Sequence, residues 1–519
     1  MISVPSYIHT ISVTDDVKSR IRIYSIPDSL TSFTETNVVQ YGTLFKRNAS
    51  DTDSGERISE NGLSYIDNFN KGAMFSIGQS TCSRVEFVLL NDDHAYDTFN
   101  FGRIYIFVDI LNPYQNLWIS IPIGAFVCEK PAKTTSRTIN IAANDLMQTL
   151  EKNADKWFNE EIDWSANKTL LDIASSLSTK VGIPLGVYSS IFPQGLYEYS
   201  KRPFYSIGKT YRQILEYIAG ACVTNVFINR EGQIDFGWFK DAVYRENGTD
   251  RYVTIDADSS PTGVFDIDVS AFTVPHIKNV TVIQGGAEIV TVSSDDVSGN
   301  ETYYVKDNPL FVDGADSSNT AQILAANVLA GINIVISDPG SAPLPDPDSP
   351  GYTPISATSI MDISIESGDA IRVIVNGTTY RVPIFQQNWI WRGGFIVSQF
   401  MSSGAETWND QYDAASEFTD SENRRLNSFE SGFVNRQVIA SGSTYTVTIP
   451  FSKYHAKVPN VVASMVSAQT EGLGNCSVSL WNLSTTSFSL RIINNSAYQR
   501  SIGACWIAIE NYESDTTLS

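Results

Sequence analysis

The side chains most able to do acid–base, nucleophilic or metal chemistry are few in this chain, and their spacing works against each such use. Four histidines, at positions 9, 94, 276 and 455, stand far apart, so no HExxH pair sets two imidazoles on one helix face to hold a metal. Each reads as an isolated core or surface histidine. Five cysteines, at 82, 128, 222, 476 and 505, lack CxxC spacing and are odd in number, which points to buried thiols rather than disulfides or a zinc site. The carboxylate pairs Asp92-Asp93 and Asp346-Pro347-Asp348 have the residue types of a general acid and base, but they fall in turn-rich stretches and read as solvated loop acids. There is no GxSxG elbow, phosphate-cradling Walker loop or dinucleotide fingerprint. The expectation is a protein with no catalytic site, no metal and no cofactor.

What must be positioned, then, is surface rather than a reaction centre. A chain of 519 residues with 42% hydrophobic residues divides into several domains with ample cores. Charged residues are 18%, while 24 Tyr, 26 Phe and 9 Trp are spread through short alternating runs, a mixture that favours β-structure. A formal charge of -21 disfavours tight binding to nucleic-acid phosphates, which needs concentrated Lys and Arg. No stretch is long and apolar enough for a membrane span, and MISVPSYIHTISVTDD lacks a signal peptide's basic start and apolar core, so synthesis in a cytoplasm is expected. Matches to Asn-x-Ser/Thr such as Asn167 and Asn279 therefore count as composition.

The strongest local signal is Tyr205 to Lys240. Thr210 is a helix N-cap, Ile214, Leu215, Ile218 and Cys222 make an apolar face, and Gly220 and Ala221 permit close packing. Val226 to Ile228, a turn at Asn229-Arg230-Glu231-Gly232, and alternating Ile234, Phe236 and Trp238 make a hairpin. Upstream, Ile21 and Ile23 alternate, and Asn48 to Glu60 reads as a loop. Five strand candidates follow at Phe75–Gly78, Val85–Leu90, Ile104–Ile110, Leu117–Gly124 and Thr138–Ala143. Asp145 caps a short helix, and Leu170, Leu171, Ile173, Ala174 and Leu177 form a second helical stripe ending at Gly182. Beyond residue 265, strands at 277–283 and 303–306 and a helix through Ala321, Leu324, Ala325, Val328 and Leu329 precede an extended Pro-rich loop at 337–354. Residues 362–404 alternate strongly, with hairpin turns at Asn376-Gly377 and Gly393-Gly394. Residues 406–435, including Trp408, Ala414, Phe418, Leu426 and Phe429, are too irregular for a heptad seam and read as a short helix or linker.

Several of these segments, in order, resemble the tail-tip or baseplate hub proteins of tailed bacteriophages. They are Gly124-x-Phe126, Ala143-Asn144-Asp145-x-Met147, the Tyr211-Arg-Gln-Ile-Leu215 helix running into VFINREGQIDF, and Glu366-Ser-Gly-Asp369 with Ser402-Ser-Gly404. The resemblance implies a mainly β fold with an α+β insertion: a first β-barrel hub domain over 1–155, an inserted α/β domain over 156–265, and a second β-barrel hub domain over 266–405. It also implies a homotrimer closing a tail tube in contact with a distal tail protein, a tape-measure protein and tail fibres or other tip proteins.

After the linker at 406–435, residues 436–519 show six strand candidates: at Val438, 445–449, 461–465, 477–481, 488–493 and 505–509. IPFSKYHAKVPNVVASM, LWNLSTTSFSLRI and ACWIAIENY, with Phe451, Pro459, the Ser484-to-Phe488 turn and Trp506, resemble the H-type lectin domain, a six-stranded trimeric β-sandwich that binds sugars. In that family a Trp-His pair and an arginine hold the sugar. Aligned by hand, the pair falls on Asn494 and Asn495 and the arginine near Asn475, and all three offer neutral amides instead. Tyr498 and Arg500 lie on the same loop and can replace the missing aromatic face and charge, so the candidate carbohydrate-binding residues are Asn475, Asn494, Asn495, Tyr498 and Arg500.

The expected function is a structural, non-enzymatic hub of a phage or phage-like tail tip, located in the virion and presenting a module for a host cell-surface glycan. The alternatives are a free-standing carbohydrate-binding adhesin with a β-rich stalk, a hub whose last module only trimerises or docks other tail proteins, and a cell-wall hydrolase with an unrecognised site.

Overall fold

Short alternating runs separated by polar turns build about half of the described residues into sheet, mostly antiparallel. The computed structural model describes residues 4–6, 9, 18–39, 43–48, 58–70, 76–91, 102–129, 132–133, 137–186, 198–199, 202–204, 206–237, 239–258, 264–284, 287–297, 299–311, 320–336, 351–360, 362–391, 396–402, 404, 406, 408, 429–450, 460–467, 475–484 and 487–509. Two compact units emerge, a body of residues 1–410 and a terminal unit of residues 411–519.

The body's first strands are β1 (Ser19–Ile26), β2 (Thr43–Asn48), β3 (Ile58–Asn68), β4 (Arg84–Leu90), β5 (Arg103–Asn112), β6 (Leu117–Cys128) and β7 (Thr138–Asp145). Two capped helices follow. α1 (Leu170–Val181) starts with a capping box between Thr169 and Asp172 and stops at Gly182, whose φ of 72° is the left-handed cap the sequence implies. α2 (Tyr211–Ala221) starts with a second capping box, Thr210 with Gln213, and buries Ile214, Leu215 and Ile218. Close packing at Gly220 is real: a Cβ on Gly78 would lie 2.9 Å from the Gly220 Cα. The hairpin of β8 (Asn225–Ile228) and β9 (Ile234–Gly237) turns through Gly232 at φ 75°.

The rest of the body includes short strands at Lys240–Asp241, Val243–Glu246, Thr249–Tyr252 and Thr254–Asp256, then β10 (Val264–Val269), β11 (Asn279–Gln284), β12 (Ala287–Ser293), β13 (Thr302–Lys306), α3 (Thr320–Ile336), β14 (Ile355–Ile360), β15 (Asp369–Val375), β16 (Thr378–Pro383), β17 (Gln386–Trp391) and β18 (Ile396–Met401). The uncharged α3 buries Leu324, Val328 and Ile332 and packs on β11 and β12. Asn376 and Gly377, at φ 52° and 74°, make the two-residue turn between β15 and β16.

One sheet runs β10-β14-β18-β17-β3-β4-β7-β6-β5-β1-β2, with Ala132–Lys133 added beside β7. The fold class expected from the sequence, mainly β with a helical insertion, holds. The two closed barrels do not: strands from residues 1–155 and 266–405 share this sheet, and its order does not close on itself among the described residues. The join is β17 against β3, from Gln386↔Asn68 to Trp391↔Leu63. It is filled by large aromatics, with Trp389 and Trp391 buried and the Tyr65 and Trp389 rings 4.9 Å apart.

Several local expectations change. Of the strand expected at Phe75–Gly78, Phe75 lies outside the described residues and Ser76 to Gly78 are not strand, because this segment bonds to the inserted unit: the Gly78 N–H donates to the Thr224 carbonyl and the Gln79 N–H to the Asn225 side chain. Asn48, Ser59 and Glu60, read as loop, lie in strands. Trp408, read as linker, is buried in the body, its indole N–H 2.7 Å from the Pro275 carbonyl. Trp238, Gly393-Gly394, residues 337–350, Phe451 and Pro459 lie outside the described residues.

The terminal unit has the six strands expected: β19 (Phe429–Ile439), β20 (Ser443–Pro450), β21 (Asn460–Ser467), β22 (Cys476–Trp481), β23 (Ser487–Asn494) and β24 (Arg500–Ile509). They form two antiparallel three-stranded sheets, β19-β24-β21 and β20-β23-β22, over a core of Phe488, Leu490, Ile492, Ile502, Ala504, Trp506 and Ala508. β19 begins seven residues before the expected start of this module at 436.

Candidate functional site

Four of the five sugar-site candidates, Asn494, Asn495, Tyr498 and Arg500, sit where β23 ends, a loop crosses between the two sheets, and β24 begins; Asn475 immediately precedes β22. Backbone pairing places four of the five. Asn494 lies opposite Ser443 on β20 and Cys476 on β22, and the Asn495 N–H donates 2.8 Å to the carbonyl of Asn475. Arg500 opens β24 opposite Ile439.

Asn494 itself is fully buried. Its Nδ2 donates to the carbonyls of Ile439 (2.9 Å), Ala440 (3.2 Å) and Tyr498 (2.9 Å). Its Oδ1 accepts from the Ser496 N–H (3.0 Å) and hydroxyl (2.6 Å). An amide is the one uncharged side chain that both donates twice and accepts, which is what a loop crossing between two sheets requires. Asn494 therefore braces the loop and offers no atom to a ligand, a correction to its reading as a sugar contact. Its neighbours do face solvent: Asn475 and Asn495 are exposed, Tyr498 is 70% exposed, and Arg500 is half-buried. A phenol face with flanking amides and a guanidinium can stack on and hydrogen-bond a hydroxylated ring. Sequence reasoning missed the buried Ser496 and the exposed Ser441, whose hydroxyl donates 2.7 Å to the Ser496 carbonyl.

The two outer faces of the terminal unit differ. On β20-β23-β22 the outward residues include Thr444, Thr446, Thr448, Ser477, Ser479 and Arg491. On β19-β24-β21 they include Phe433 (53% exposed), Val462 (67%) and Ile507 (47%), with Val462 directly opposite Ile507 and Phe433 opposite Cys505.

In the body the segments that carry the hub resemblance meet around buried charges. Phe126 pairs with Asp145 across β6 and β7. The Asp145 carboxylate accepts from the Ser83 N–H (2.6 Å) and the Met147 N–H (2.9 Å), and burial pushes its pKa up to about 6 despite these bonds. The Ser83 hydroxyl donates to Asp67, which also accepts from the Ser367 N–H. On α2, Arg212 donates to the Ser80 hydroxyl, and that hydroxyl donates to Glu216. Arg230, read as part of a turn, is buried and donates 2.7 Å to each of the Ile363 and Ile365 carbonyls. No local signal marks it, because its partners lie over a hundred residues away.

A Ser/His/Asp grouping that the sequence could not reveal also exists. His9 Nδ1 bonds Asp362 Oδ2, and Ser364 Oγ lies 3.3 Å from the same nitrogen. It is not a nucleophilic triad: serine and aspartate share one ring nitrogen, and Ser364 is fully buried. A shallow cleft of about 670 Å³ at Asn159 to Trp164 and Arg202 carries carboxylates, but Glu161 pairs with Lys180, Asp163 bonds Ser165, and the Trp164 indole N–H bonds the Phe158 carbonyl. Among the described residues no group of three His, Cys, Asp or Glu side chains is arranged for a metal.

No family model and no curated protein matches this sequence. Among solved structures, this chain is similar to prophage tail protein gp18 from Listeria monocytogenes at 10% identity, covering 78% of this chain and 98% of that one with a TM-score of 0.38. It is similar to the 43 kDa tail protein of prophage MuSo2 from Shewanella oneidensis at 12% identity, with 74% and 98% coverage and a TM-score of 0.40. A PdpA-VgrG complex from Francisella aligns at 10% identity, covering 83% of this chain and 57% of that one, with a TM-score of 0.38.

Proposed function

We propose that this chain is a non-enzymatic structural hub of a phage or phage-like tail tip, working as a homotrimer in the virion tail, with a terminal unit that binds a host cell-surface glycan. The observation that carries the hub reading is convergence. Phe126 pairs with Asp145, and Asp145, Ser83, Asp67 and Ser367 follow one another in a chain of hydrogen bonds; beside it Arg212 of the Tyr211 helix bonds Ser80, and Arg230 bonds the Ile363 and Ile365 carbonyls just before Ser367-Gly-Asp369. A ring component that must hold shape against its neighbours needs such cross-bracing. Its partners would be a distal tail protein, a tape-measure protein and tail fibres or other tip proteins. The glycan reading is supported by the exposed Tyr498 beside Asn475, Asn495 and Arg500, and three weak sites in a trimer would add by avidity.

A second reading has its own support: the apolar patch of Phe433, Val462 and Ile507 suits a terminal unit whose role is self-association. The test compares the full chain with Asn495→Ala/Tyr498→Ala on a glycan array and on whole cells, with solution mass measured alongside. A trimer that binds glycan and loses it in the variant supports the receptor reading. A trimer with no glycan or cell binding leaves self-association, and then oxidation should cross-link copies through the exposed Cys505. A monomer would remove the hub reading. Release of fragments from purified cell wall would overturn the non-enzymatic one.

A further inference from the structure

His9 and Asp362, 353 positions apart, meet at one end of a cavity of about 80 Å³. Its other walls come from Tyr244, Val253, Thr254, Ile255, Ile360 and Ile365. Most of that wall is aliphatic. The polar end is built and held. Asp362 Oδ1 accepts from the Ser364 N–H (2.9 Å) and hydroxyl (2.8 Å), Oδ2 takes His9 Nδ1, and the imidazole stacks on Tyr244 with ring centres 4.2 Å apart. His9's side chain is 4% exposed and Asp362's 1%. Yet His9 Nε2 is buried with no hydrogen-bond partner among the described residues. An unmade bond at a buried polar atom is costly, and a cavity beside it is where a partner would sit.

The chemistry of that partner follows from what is already used. Because the Asp362 carboxylate can only accept, the proton of that bond sits on Nδ1 and Nε2 is the ring atom left for a partner. A hydroxyl, which both donates and accepts, can bond that nitrogen whether or not it carries a proton. No Lys or Arg lines the cavity, so an anion would meet the Asp362 carboxylate with no fixed cation beside it, and the carboxylate's three accepted bonds leave little for a cation. The volume suits a few heavy atoms, and the aliphatic walls suit carbon. We propose that this cavity is a binding site for a small neutral alcohol, its hydroxyl hydrogen-bonded to His9 Nε2 and its short carbon stem lying against Val253, Ile255, Ile360 and Ile365. The site is independent of the glycan loop and of the hub reading.

The test uses the full chain with ¹⁵N-labelled histidine, titrated with 1-propanol and, as charged controls of similar size, acetate and methylammonium. The expected result is a saturable shift of the His9 Nε2 signal with 1-propanol alone, half-saturated on the order of millimolar as befits so few atoms. His9→Phe keeps a ring for Tyr244 to stack on, removes Nε2, assigns the signal and abolishes the response. Should that variant fail to fold, Val253→Ile narrows the cavity without touching the polar end and weakens half-saturation several-fold. A linear response, a response unchanged in Val253→Ile, or an equal response to either ion would overturn the proposal.

Discussion

The body and the terminal unit bury polarity with different chemistry. Among the described residues the body encloses charged side chains, including Arg22, Asp109, Asp145, Arg230, Asp369 and Arg381, whereas the buried polar side chains of the terminal unit are Ser489, Asn494 and Ser496. Asp109 illustrates the charged solution. Fully buried, it receives Arg22 through two bonds of 2.7 Å and Arg20 at 2.5 Å, tying β5 to β1. Asn494 illustrates the neutral one, satisfying five backbone and hydroxyl partners with no charge. Each unit is accordingly fragile in its own way. Charged joints are costly to break and respond to pH; an amide brace is costly to break and does not.

The largest expected effect tests the charged joints. Arg230→Met strands the Ile363 and Ile365 carbonyls and leaves Asp67 and Glu366 without their buried cation, so the body should lose about 3–5 kcal/mol in denaturant unfolding. A loss under about 1 kcal/mol would mean that apolar packing, not charge, holds the hairpin of β8 and β9. Next comes the neutral brace. Asn494→Ala should cost the terminal unit about 2 kcal/mol, equally at pH 5 and pH 8, measured by melting followed through Trp481 and Trp506.

A smaller effect distinguishes the two units by pH. Burial raises the Asp145 pKa to about 6, so between roughly pH 4 and 6 the folded state holds a proton that the unfolded state has released. This carboxylate therefore weakens the body as pH rises, by about 1 kcal/mol from pH 5 to pH 7, and the cost vanishes below the unfolded value. Asp145→Asn should flatten that slope in the body and leave the terminal unit unmoved. A carboxyl carbon titrating near 4 would remove the effect. The smallest change is at the surface: Tyr498→Ala should shift stability by no more than about 0.5 kcal/mol while removing the glycan binding proposed above, which would separate the proposed contact residues from the brace beneath them.

Some of this was legible without a fold. The Thr210 cap, the stop at Gly182 and the Asn376-Gly377 turn are local features of a few residues, and each formed as its spacing requires, whereas the reciprocal bonds of Gln213 and of Thr169 with Asp172 came only with the structure. The six strands of the terminal unit were legible for the same reason, since a period of two needs no distant partner. The candidate loop was legible in position but not in role: alternation at the end of β23 cannot say that Asn494 points between the sheets while Asn495 points to water.

Short-range propensity and periodicity were enough to set the elements, the mainly β class and the absence of familiar catalytic spacings, all of which can be read from the order of amino acids. Which polar atoms became internal could not be read that way and waited on the tertiary fold. The sharing of one sheet by residues 1–155 and 266–405, the burial of Arg230 beneath Ile363 and Ile365, and the meeting of His9 with Asp362 all depend on strand partners chosen across hundreds of residues. A side chain's chemistry is written in the sequence, but its desolvation is a property of its neighbours, and those are set by the fold.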